Sequence, residues 1–460
     1  MMRSALLSLP LLALVAGCDL APAYKQPHPA TPSQWPTGEA YPAATDQPAG
    51  LPWRTMIADT HMRAVIERAL AANQNLAATV ANVAAARAQY RVQRSAQLPT
   101  LTGDAGATLA RGITQSQTDT SSYNVNAGIS SFEIDLFGRL KNLTRQAFEQ
   151  YLATEAGMRS ARITLIAETA NAYLTLASDR DLLTIARDTV ASGNRSLELT
   201  RTLFNAGLAA ASDVSNAETI VAQAQSDAAQ YTTYVAQDRN ALELLVGGPV
   251  QDEDLPQSLA TLDPAIAITP AGLSSTVLLQ RPDVLQAEHQ LKGANASIGA
   301  ARAAFFPTIT LTSALGVAST ALSSLFTGGA LSFTAAPQAS LPILGGTNRG
   351  NLAYAKAERD YYLATYRYTV QTAFREVADG LARRGTIDRQ RAAQARLVAA
   401  SATSYRLADA QYRVGTDTYL NALTAQRTLY SARQSQVATV LTDLQNRISL
   451  YEYIGSDAGR

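Results

Sequence analysis

A run without proline constrains the fold of this chain more than any other feature. No proline occurs between Pro99 and Pro249, and from Tyr151 onward the run is rich in Ala, Leu, Arg, Glu and Gln, which favour helix. Apolar residues recur every seven positions, as in a coiled coil, at Leu176, Leu183, Val190, Leu197 and Phe204. We predict one helix from about Arg139 to Phe204, roughly 100 Å long at about 1.5 Å per residue. A helix of that length must lie along partner helices.

Composition and missing motifs argue against several classes of function. The net charge is +1 and 16% of the residues are charged, which does not favour nucleic-acid binding. One cysteine and three scattered histidines offer no metal-ligand spacing. No Gly-x-Ser-x-Gly, His-Glu-x-x-His or Walker-type loop is present. We therefore expect no enzyme activity and no cofactor.

The first residues have the pattern of a secretion signal that is removed. Arg3 supplies the positive end, and the apolar run from Leu6 to Val15 is too short to span a bilayer. Residues 15–18, Val-Ala-Gly-Cys, resemble the bacterial lipobox, so we predict a signal peptide over 1–17 and lipid attachment at Cys18. The alternative is an ordinary signal peptide with an incidental cysteine. Residues 18–54 are rich in Pro, Ala, Thr and Gly and predict an extended tether.

Beyond the tether, a helical pattern gives way to strands. It begins near Thr55, continues to Gln97 and is stopped by Pro99. Alternating apolar and polar residues then predict strands near 98–112 and 122–136, which form a hairpin with a long loop. A soluble, half-buried sheet would show the same alternation, so the pattern alone does not separate it from a membrane sheet.

The chain repeats itself at an offset of about 208 residues. Leu98-Pro99-Thr100 returns as Phe306-Pro307-Thr308, Gly207 as Gly415, and Gly247 as Gly455. We therefore predict a first repeat over 55–248 and a second over 274–455, with strands near 306–318 and 331–344 and a helix from about Thr347 to Tyr412. The Pro-rich linker, 249–273, should lie partway along the long helices, and 456–460 form a tail.

Four strands of about ten residues have the length that a tilted strand needs to cross a bilayer. One chain cannot close a barrel with four strands, and a membrane sheet must leave no open edge in lipid. The strands should therefore come from several chains, and three chains would supply twelve.

The whole mature chain resembles the outer-membrane efflux proteins, the TolC-like family, in particular the lipoprotein branch that serves resistance-nodulation-division drug pumps. The resemblance rests on four stretches of the sequence: Gly17-Cys18 with Pro22, Tyr24 and Pro27, then 132–140 (FEIDLFGRL), 280–284 (QRPDV) and 412–427. The resemblance implies a homotrimer with a twelve-stranded transmembrane β-barrel in the outer membrane and a coiled-coil helical tunnel through the periplasm. It also implies the channel role in a tripartite antibiotic-resistance pump, with a periplasmic adaptor (a membrane fusion protein) and an inner-membrane pump as partners.

Two residues depart from the family pattern. Asp19 directly follows the predicted lipidated cysteine, and in enteric bacteria that residue is associated with retention in the inner membrane. Thr424 stands where many relatives carry an aspartate, so an acidic gate ring is not carried over. Two other functions stay open: the exit duct of a type I protein secretion system, and a periplasmic coiled-coil lipoprotein scaffold without a pore.

The turns at 207–213 and 415–421 lie at the far ends of the two long helices. We expect them to form the tip that faces the inner membrane, where glycine permits a backbone geometry that other residues resist. The predicted adaptor-contacting residues are Gly207, Ala209, Ala210, Asp213, Gly415 and Thr416.

The last helix carries a polar stripe that predicts a channel lining and gate. After Leu420 the stripe continues through Thr424, Arg427, Ser431 and Gln434, and the complementary face is apolar (Leu423, Tyr430, Val437, Leu441, Leu444, Ile448 and Tyr451). The first repeat has a similar stripe at Ser212, Asn216, Thr219, Gln223 and Ser226. Three copies of Leu420 could close the pore by dewetting. By resemblance, Arg427 helps to hold the tip shut, and the gate set is Leu420, Arg427, Thr424, Asn421 and Asp417. The alternative is that Leu420 is a core residue and Arg427 a solvated charge.

Overall fold

A computed structural model describes residues 19–28, 31–42, 52–111, 120–268, 275–327 and 330–455. The predicted signal peptide, Cys18 and the C-terminal tail lie outside the described residues. The chain divides into two compact units. The first contains Met1–His28, Asn82–Glu155 and Gln286–Arg367, and the second contains Pro29–Ala81, Ala156–Leu285 and Tyr368–Arg460.

The elements follow the order helix, two strands, long helix and helix, twice over. The bounds are α1 Trp53–Met56, α2 Thr60–Ala72, α3 Gln74–Ser95, β1 Leu101–Ala110, β2 Thr120–Ile134, α4 Arg139–Asn205, α5 Ala211–Val246, α6 Leu259–Leu262, α7 Pro282–Ala303, β3 Thr308–Ser319, β4 Leu331–Ser340, α8 Gly346–Arg413 and α9 Tyr419–Ile454. Short 3₁₀ turns occur in the linker, before α7 and between β3 and β4. None of these helices is both long enough and apolar enough to cross a membrane.

The two long helices are confirmed almost to the residue. Helix α4 has 67 residues and α8 has 68, and the predicted ends are within one residue of the observed ones. The prediction succeeded because proline is absent from both runs and each run is followed by a glycine that ends the helix.

The helix predicted between Thr55 and Gln97 is wrong in one respect, because it is broken twice. Asp59 caps α2 by accepting a hydrogen bond from the Met62 N–H at 2.6 Å. Asn73 has extended backbone, accepts from the Leu76 N–H at 2.9 Å and donates to the Leu245 carbonyl at 2.9 Å. Asp and Asn side chains compete with the helical backbone in this way, so they favour caps over helix interiors.

The four strands form one antiparallel sheet in the order β1-β2-β3-β4. Leu101 pairs with Ile129, and the row of Val125, Val317 and Leu331 continues from strand to strand. Directly paired residues share a face, so the predicted apolar residues of neighbouring strands lie on the same face of the sheet. The predicted span 331–344 is too long, because β4 ends at Ser340.

A bulge in β2 was not predicted. The pairing of β2 with β3 shifts between Ile129 and Phe132, and Ser131 has a φ of 51°. The Ser131 N–H donates to the Thr312 hydroxyl at 3.2 Å. The extra residue brings Phe132 and Ile134 to the same face as Ile129, although their positions in the sequence have opposite parity.

In the first unit, the predicted tether is extended but is held along its length. The Tyr24 hydroxyl donates to Glu288 at 3.1 Å, and Arg302 donates to the Leu20 carbonyl at 3.0 Å. Burial and the Glu288 carboxylate raise the pKa of Tyr24. Gly299 permits this approach, because a Cβ there would lie 2.8 Å from the Ala21 backbone nitrogen. Residues 19–28 are therefore part of the folded structure.

In the second unit, the inter-repeat linker lies against the middle of the long helices, as predicted for its described part, 249–268. Tyr173 of α4 donates to the Asp254 carbonyl at 2.9 Å. Asp263 pairs with Arg391 of α8 and Arg447 of α9, and Asp443 of α9 bonds both arginines at 2.5 Å. The hydrogen bond from Arg391 holds the pKa of Asp263 below its usual value. This set of two arginines and two aspartates is called the linker cluster below.

Candidate functional site

Both predicted tip turns end their helices in the same way. The Gly207 N–H donates to the Phe204 carbonyl and the Leu208 N–H to the Leu203 carbonyl, at 2.9 and 2.8 Å. In the second repeat, Gly415 and Thr416 make the equivalent pair of bonds at 3.0 Å each. Gly207 and Gly415 have φ values of 73° and 75°, which favour glycine. The glycine prediction is confirmed in both repeats.

The predicted tip residues are mostly exposed in the chain. Ala210 and Thr416 are exposed, whereas Ala209 and Asp213 are half-buried. Asp213 accepts from the Ala210 N–H at 3.2 Å and so fixes the start of α5. Sequence reasoning missed Leu208 and Val414, each next to a tip glycine and more than 70% exposed. They add apolar surface to both tips.

A small aromatic core supports the tip of the second repeat. The rings of Tyr412 and Tyr419 lie edge to face with centroids 5.1 Å apart, across the turn. The hydroxyls of Tyr412 and Thr200 are 2.9 Å apart, which ties α8 to α4. Burial raises the pKa of Tyr419 to about 12. The sequence signal was present in the two tyrosines that flank the turn, but nothing in their spacing indicated the contact.

The structure separates the two faces of α9 as the sequence predicted. Leu420 is 58% exposed, Thr424, Arg427 and Ser431 follow it on the exposed face, and Gln434, the last member of the predicted stripe, is half-buried. On the opposite face Leu423, Tyr430, Leu444, Ile448 and Tyr451 are buried, and Val437 and Leu441 are half-buried. In α5, Ser212, Thr219, Gln223 and Ser226 are exposed and Asn216 is half-buried. Leu420 is therefore not in the core of the single chain, and the gate assignment stays a prediction.

Of the predicted gate residues, Arg427 is the one that reaches another helix by a described hydrogen bond. It donates to the Thr219 hydroxyl of α5 at 2.6 Å. These two positions are 208 apart, so equivalent positions of the two repeats touch. Asp417 accepts from Asn421 at 2.7 Å, and the Thr424 hydroxyl donates to the Leu420 carbonyl at 2.8 Å. Those bonds stay within the second tip turn and the first turns of α9.

Two further side-chain bonds join α5 to α9, and sequence reasoning missed both. The Tyr430 hydroxyl donates to Asp227 at 2.6 Å, and Gln434 donates to the Tyr231 hydroxyl at 3.4 Å. Burial and the Asp227 carboxylate raise the pKa of Tyr430. Tyr430 was assigned to the packing face because of its ring, and the ring is buried as expected. Its polar end was overlooked.

Two carboxyl groups, those of Asp179 of α4 and Asp238 of α5, form a pair in the second unit, further from the tip turn than the bonds described above. Burial, together with the hydrogen bond and charge of Asp179, raises the pKa of Asp238 to about 7. The Asp238 Oδ2 atom is buried without a donor, as expected if the two carboxyls share a proton. Among the described residues, no group of His, Cys, Asp and Glu is placed to hold a metal ion.

The sheet of the first unit exposes much of its apolar face. Leu101 is 75% exposed, Leu331 72% and Phe333 71%. Surface this apolar marks a contact with protein or membrane.

The model of the outer membrane efflux protein family matches residues 65–248 and 273–456. This chain belongs to the outer membrane efflux protein family. The predicted repeats were 55–248 and 274–455, so the first match begins ten residues later than predicted and the second differs by one residue at each end. Members are transport channels, so the family accounts for a chain without enzyme motifs. The scaffold without a pore, left open by the sequence, is therefore wrong.

Relatives of known role resemble the chain from end to end. It is 42% identical to the solvent efflux pump outer membrane protein SrpC of Pseudomonas putida, over 97% of each chain. Among solved structures, it matches a membrane protein from Pseudomonas aeruginosa with a TM-score of 0.89 and 36% identity, over 95% of this chain and 100% of that one. The open state of the MtrE outer membrane channel of Neisseria gonorrhoeae gives a TM-score of 0.86 and 33% identity, over 95% and 98%. The chain thus has the fold of an outer membrane channel that extends into the periplasm.

Proposed function

We propose that this protein is the outer-membrane channel of a tripartite efflux pump that expels organic solvents and antibiotics. The observation that carries the proposal is the full-length similarity to outer membrane proteins named for the efflux of solvents, toluene and antibiotics. The secretion-duct alternative lacks such support, since these relatives are named for efflux pumps. The inner-membrane pump would supply the energy and select the compounds.

The working form is a homotrimer. The sheet has two free edges, β1 and β4, and its exposed apolar face suits lipid. Because the meander has an even number of strands, β4 of one copy runs antiparallel to β1 of the next, and closure leaves no edge in the bilayer. Three copies give a barrel of twelve strands.

The tips receive the periplasmic adaptor. Besides the exposed turns, a groove of about 470 Å³ opens between α8 and α9, lined by Ala400, Ser401, Ser404, Ala408, Asn421, Thr424, Ala425 and Thr428. Its small side chains allow another helix to approach closely. Leu208 and Val414 offer the apolar contacts that such docking needs.

Lipid on Cys18 anchors the N-terminus in the membrane that holds the barrel. Asp19 accepts from Asn142 at 3.1 Å and lies 3.9 Å from Arg145, both near the start of α4. Helix α4 begins five residues after the end of β2, so the anchor starts near the end of the sheet. Asp19 thereby has a structural role that is independent of sorting.

Gene deletion tests the function. A strain without this protein should lose resistance to toluene and to several antibiotics, and re-expression should restore it. If resistance were unchanged and a secreted polypeptide were lost from the culture medium instead, the secretion duct would replace the efflux channel.

Charge at the tips tests adaptor docking. Ala210→Lys and Thr416→Lys should reduce crosslinking to the adaptor at least fivefold, with resistance falling in parallel. Ala229→Lys, exposed on α5 and away from the turn, is the matched control. Equal crosslinking in all three variants would place the docking surface elsewhere.

A further inference from the structure

A groove in the first unit opens between the N-terminal segment, residues 22–28, and helices α7 and α8. Its volume is about 540 Å³. The described residues that line it include Lys25, Arg359, Arg367 and His28, and no acid is among them. It is called the basic groove below. It shares no residue with the tip turns or with the groove between α8 and α9.

The positive charge of the basic groove is incompletely neutralised. Neither Lys25 nor Arg367 bonds an acid in the part of the chain that the structure describes. Arg359 pairs with the adjacent Asp360 at 2.5 Å, but the two side chains are 39% and 61% exposed. Exposed pairs of this kind contribute little stability, so Arg359 can exchange its partner at small cost. The groove therefore attracts an anionic ligand.

Hydrogen bonds and an ion pair hold the N-terminal segment against α7, so this wall of the groove is fixed. Asn295 of α7 donates to the Pro22 carbonyl at 2.7 Å. Lys292 pairs with Glu288 at 2.8 Å and lies 5.4 Å from the centre of the Tyr24 ring. Because Glu288 is bonded by Tyr24 and Lys292, its charge is satisfied outside the groove. The groove is thus formed before any ligand arrives, which lowers the entropy cost of binding.

The same segment offers unpaired backbone groups. Residues 22–28 contain neither helix nor turn. The N–H groups of Tyr24, Lys25 and Gln26 have no hydrogen-bond partner among the described residues. Free N–H groups along an irregular, extended segment can pair with the backbone of a second extended chain, as in β-strand addition. This favours a peptide over a small ion as the ligand.

The floor of the basic groove sets the spacing of the ligand. Leu363 lies about one helical turn from Arg359 on one side and from Arg367 on the other, and Leu291 of α7 lines the same floor. At about 1.5 Å per residue, the two arginines are about 12 Å apart along α8. An extended peptide rises about 3.4 Å per residue and alternates its side chains, so every second residue faces the same way. The pattern acidic-x-apolar-x-acidic therefore matches Arg359, Leu363 and Arg367 in order.

We propose that the basic groove binds an extended acidic peptide in which an apolar residue stands midway between two carboxylates four positions apart. The carboxylates accept hydrogen bonds from Arg359 and Arg367, and the apolar side chain packs on Leu363 and Leu291. The peptide backbone accepts from the free N–H groups of the N-terminal segment, where Lys25 adds a third positive charge. A periplasmic partner that carries such a segment would bind the first unit independently of the tips. The proposal does not rest on what the channel exports.

Binding of a synthetic peptide tests the groove. The probe is the fluorescently labelled peptide Glu-Ser-Leu-Ser-Glu, titrated with the purified full-length protein in neutral detergent at low ionic strength and followed by fluorescence anisotropy. We expect saturable binding that weakens at least tenfold when both Glu residues of the peptide are replaced by Gln. The rearranged peptide Glu-Glu-Ser-Ser-Leu has the same composition and the wrong spacing, and it should bind at least fivefold more weakly. Equal binding of the two acidic peptides would refute the proposed register.

Variants of the protein locate the binding. Arg359→Gln with Arg367→Gln should weaken binding of the acidic probe at least tenfold. Arg349→Gln, exposed on the same helix and outside the groove, is the matched control and should leave it unchanged. If the double variant does not fold, Lys25→Gln on the N-terminal segment replaces it and should weaken binding at least threefold.

Two other ligands separate a peptide site from a phosphate site. Inorganic phosphate and phosphatidylglycerol vesicles are tested against the wild type and the same variants. If either one bound through Arg359 and Arg367 while the acidic peptide did not, the peptide proposal would be overturned in favour of a phosphate site. Equal loss of peptide binding in Arg349→Gln would show attraction by net charge alone, which would also overturn it.

Discussion

Replacing Asp443 by alanine should release the linker between the repeats. Asp443 is 0% exposed and bonds both Arg391 and Arg447 at 2.5 Å. Arg447, 7% exposed, also donates to the Ile266 carbonyl of the linker at 2.8 Å. Without Asp443, two guanidinium groups would share the single carboxylate of Asp263.

The size of the effect follows from the burial of the linker cluster. Removing one member of a buried ion pair costs about 3–5 kcal/mol, and the lower end applies because Asp263 still neutralises part of the charge. About 3 kcal/mol raises the equilibrium constant for local opening on the order of 100-fold.

Hydrogen exchange with mass spectrometry measures this opening directly. Within 259–268, the Leu259 N–H donates to Asp181 at 2.9 Å and the Ala267 N–H to the Met56 carbonyl at 2.8 Å. Both amides should exchange about 100-fold faster in Asp443→Ala. Asp443→Asn keeps the side-chain volume and some of the hydrogen bonds, so its exchange rates at these amides should lie between those of the wild type and of Asp443→Ala.

Asp388→Ala is the matched control. Asp388 lies on α8, is 67% exposed and pairs with Arg384 at 2.9 Å, so its removal should cost less than about 0.5 kcal/mol. If Asp443→Ala protected the linker as well as Asp388→Ala does, the cluster would not hold the linker and the reasoning would fail.

Three further predictions concern the gate, the carboxyl pair and the anchor. Leu420→Ser with Arg427→Ala removes the apolar constriction and also the hydrogen bond to Thr219 of α5, which contributes about 1–2 kcal/mol. Single-channel conductance in planar bilayers should therefore rise severalfold, and large antibiotics should enter cells. Unaltered conductance in an assembled trimer would mean that the gate lies elsewhere. The pKa of Asp238 is raised from 3.8 to about 7, so the folded state binds the proton more tightly and stability should fall as pH rises between those values. Thermal unfolding at pH 5 and pH 8 should show the difference, and Asp238→Asn should reduce it; an equal difference in the variant would exclude this carboxyl pair. Cys18→Ser should abolish acylation, seen by mass spectrometry, while heat-resistant trimer persists in the outer membrane; complete loss of trimer would make the lipid essential for assembly.

The regular elements could be predicted because their signals are local. Proline-free runs gave α4 and α8, and alternation gave the faces of the strands. The bulge at Ser131 was hidden because the apolar residues of β2 change parity there, which resembles the end of one strand. Recognising that Phe132 resumes the apolar pattern three residues after Ile129, instead of two, would have located it.

The linker cluster and the Tyr430–Asp227 bond could not be predicted, because they join residues that are far apart in the chain. Asp263 and Arg447 are separated by 184 positions, and Tyr430 and Asp227 by 203. Charged residues on a helix face are usually solvated, so their types alone gave no reason to pair them. By contrast, the polar stripe of α9 was predictable, because its period is a property of one helix.

The three side-chain hydrogen bonds between α5 and α9 follow one another along the two helices. Starting from the tip, Arg427 bonds Thr219, Tyr430 bonds Asp227, and Gln434 bonds Tyr231. Water competes for the exposed Arg427, so the first hydrogen bond is weaker than the second. In the second, a buried tyrosine donates to a carboxylate, and breaking that bond costs about 1.5–3 kcal/mol. If the two helices separate from the tip, these hydrogen bonds break one at a time. The aperture should therefore widen in discrete increments, and recordings should contain separate subconductance levels rather than a continuous range.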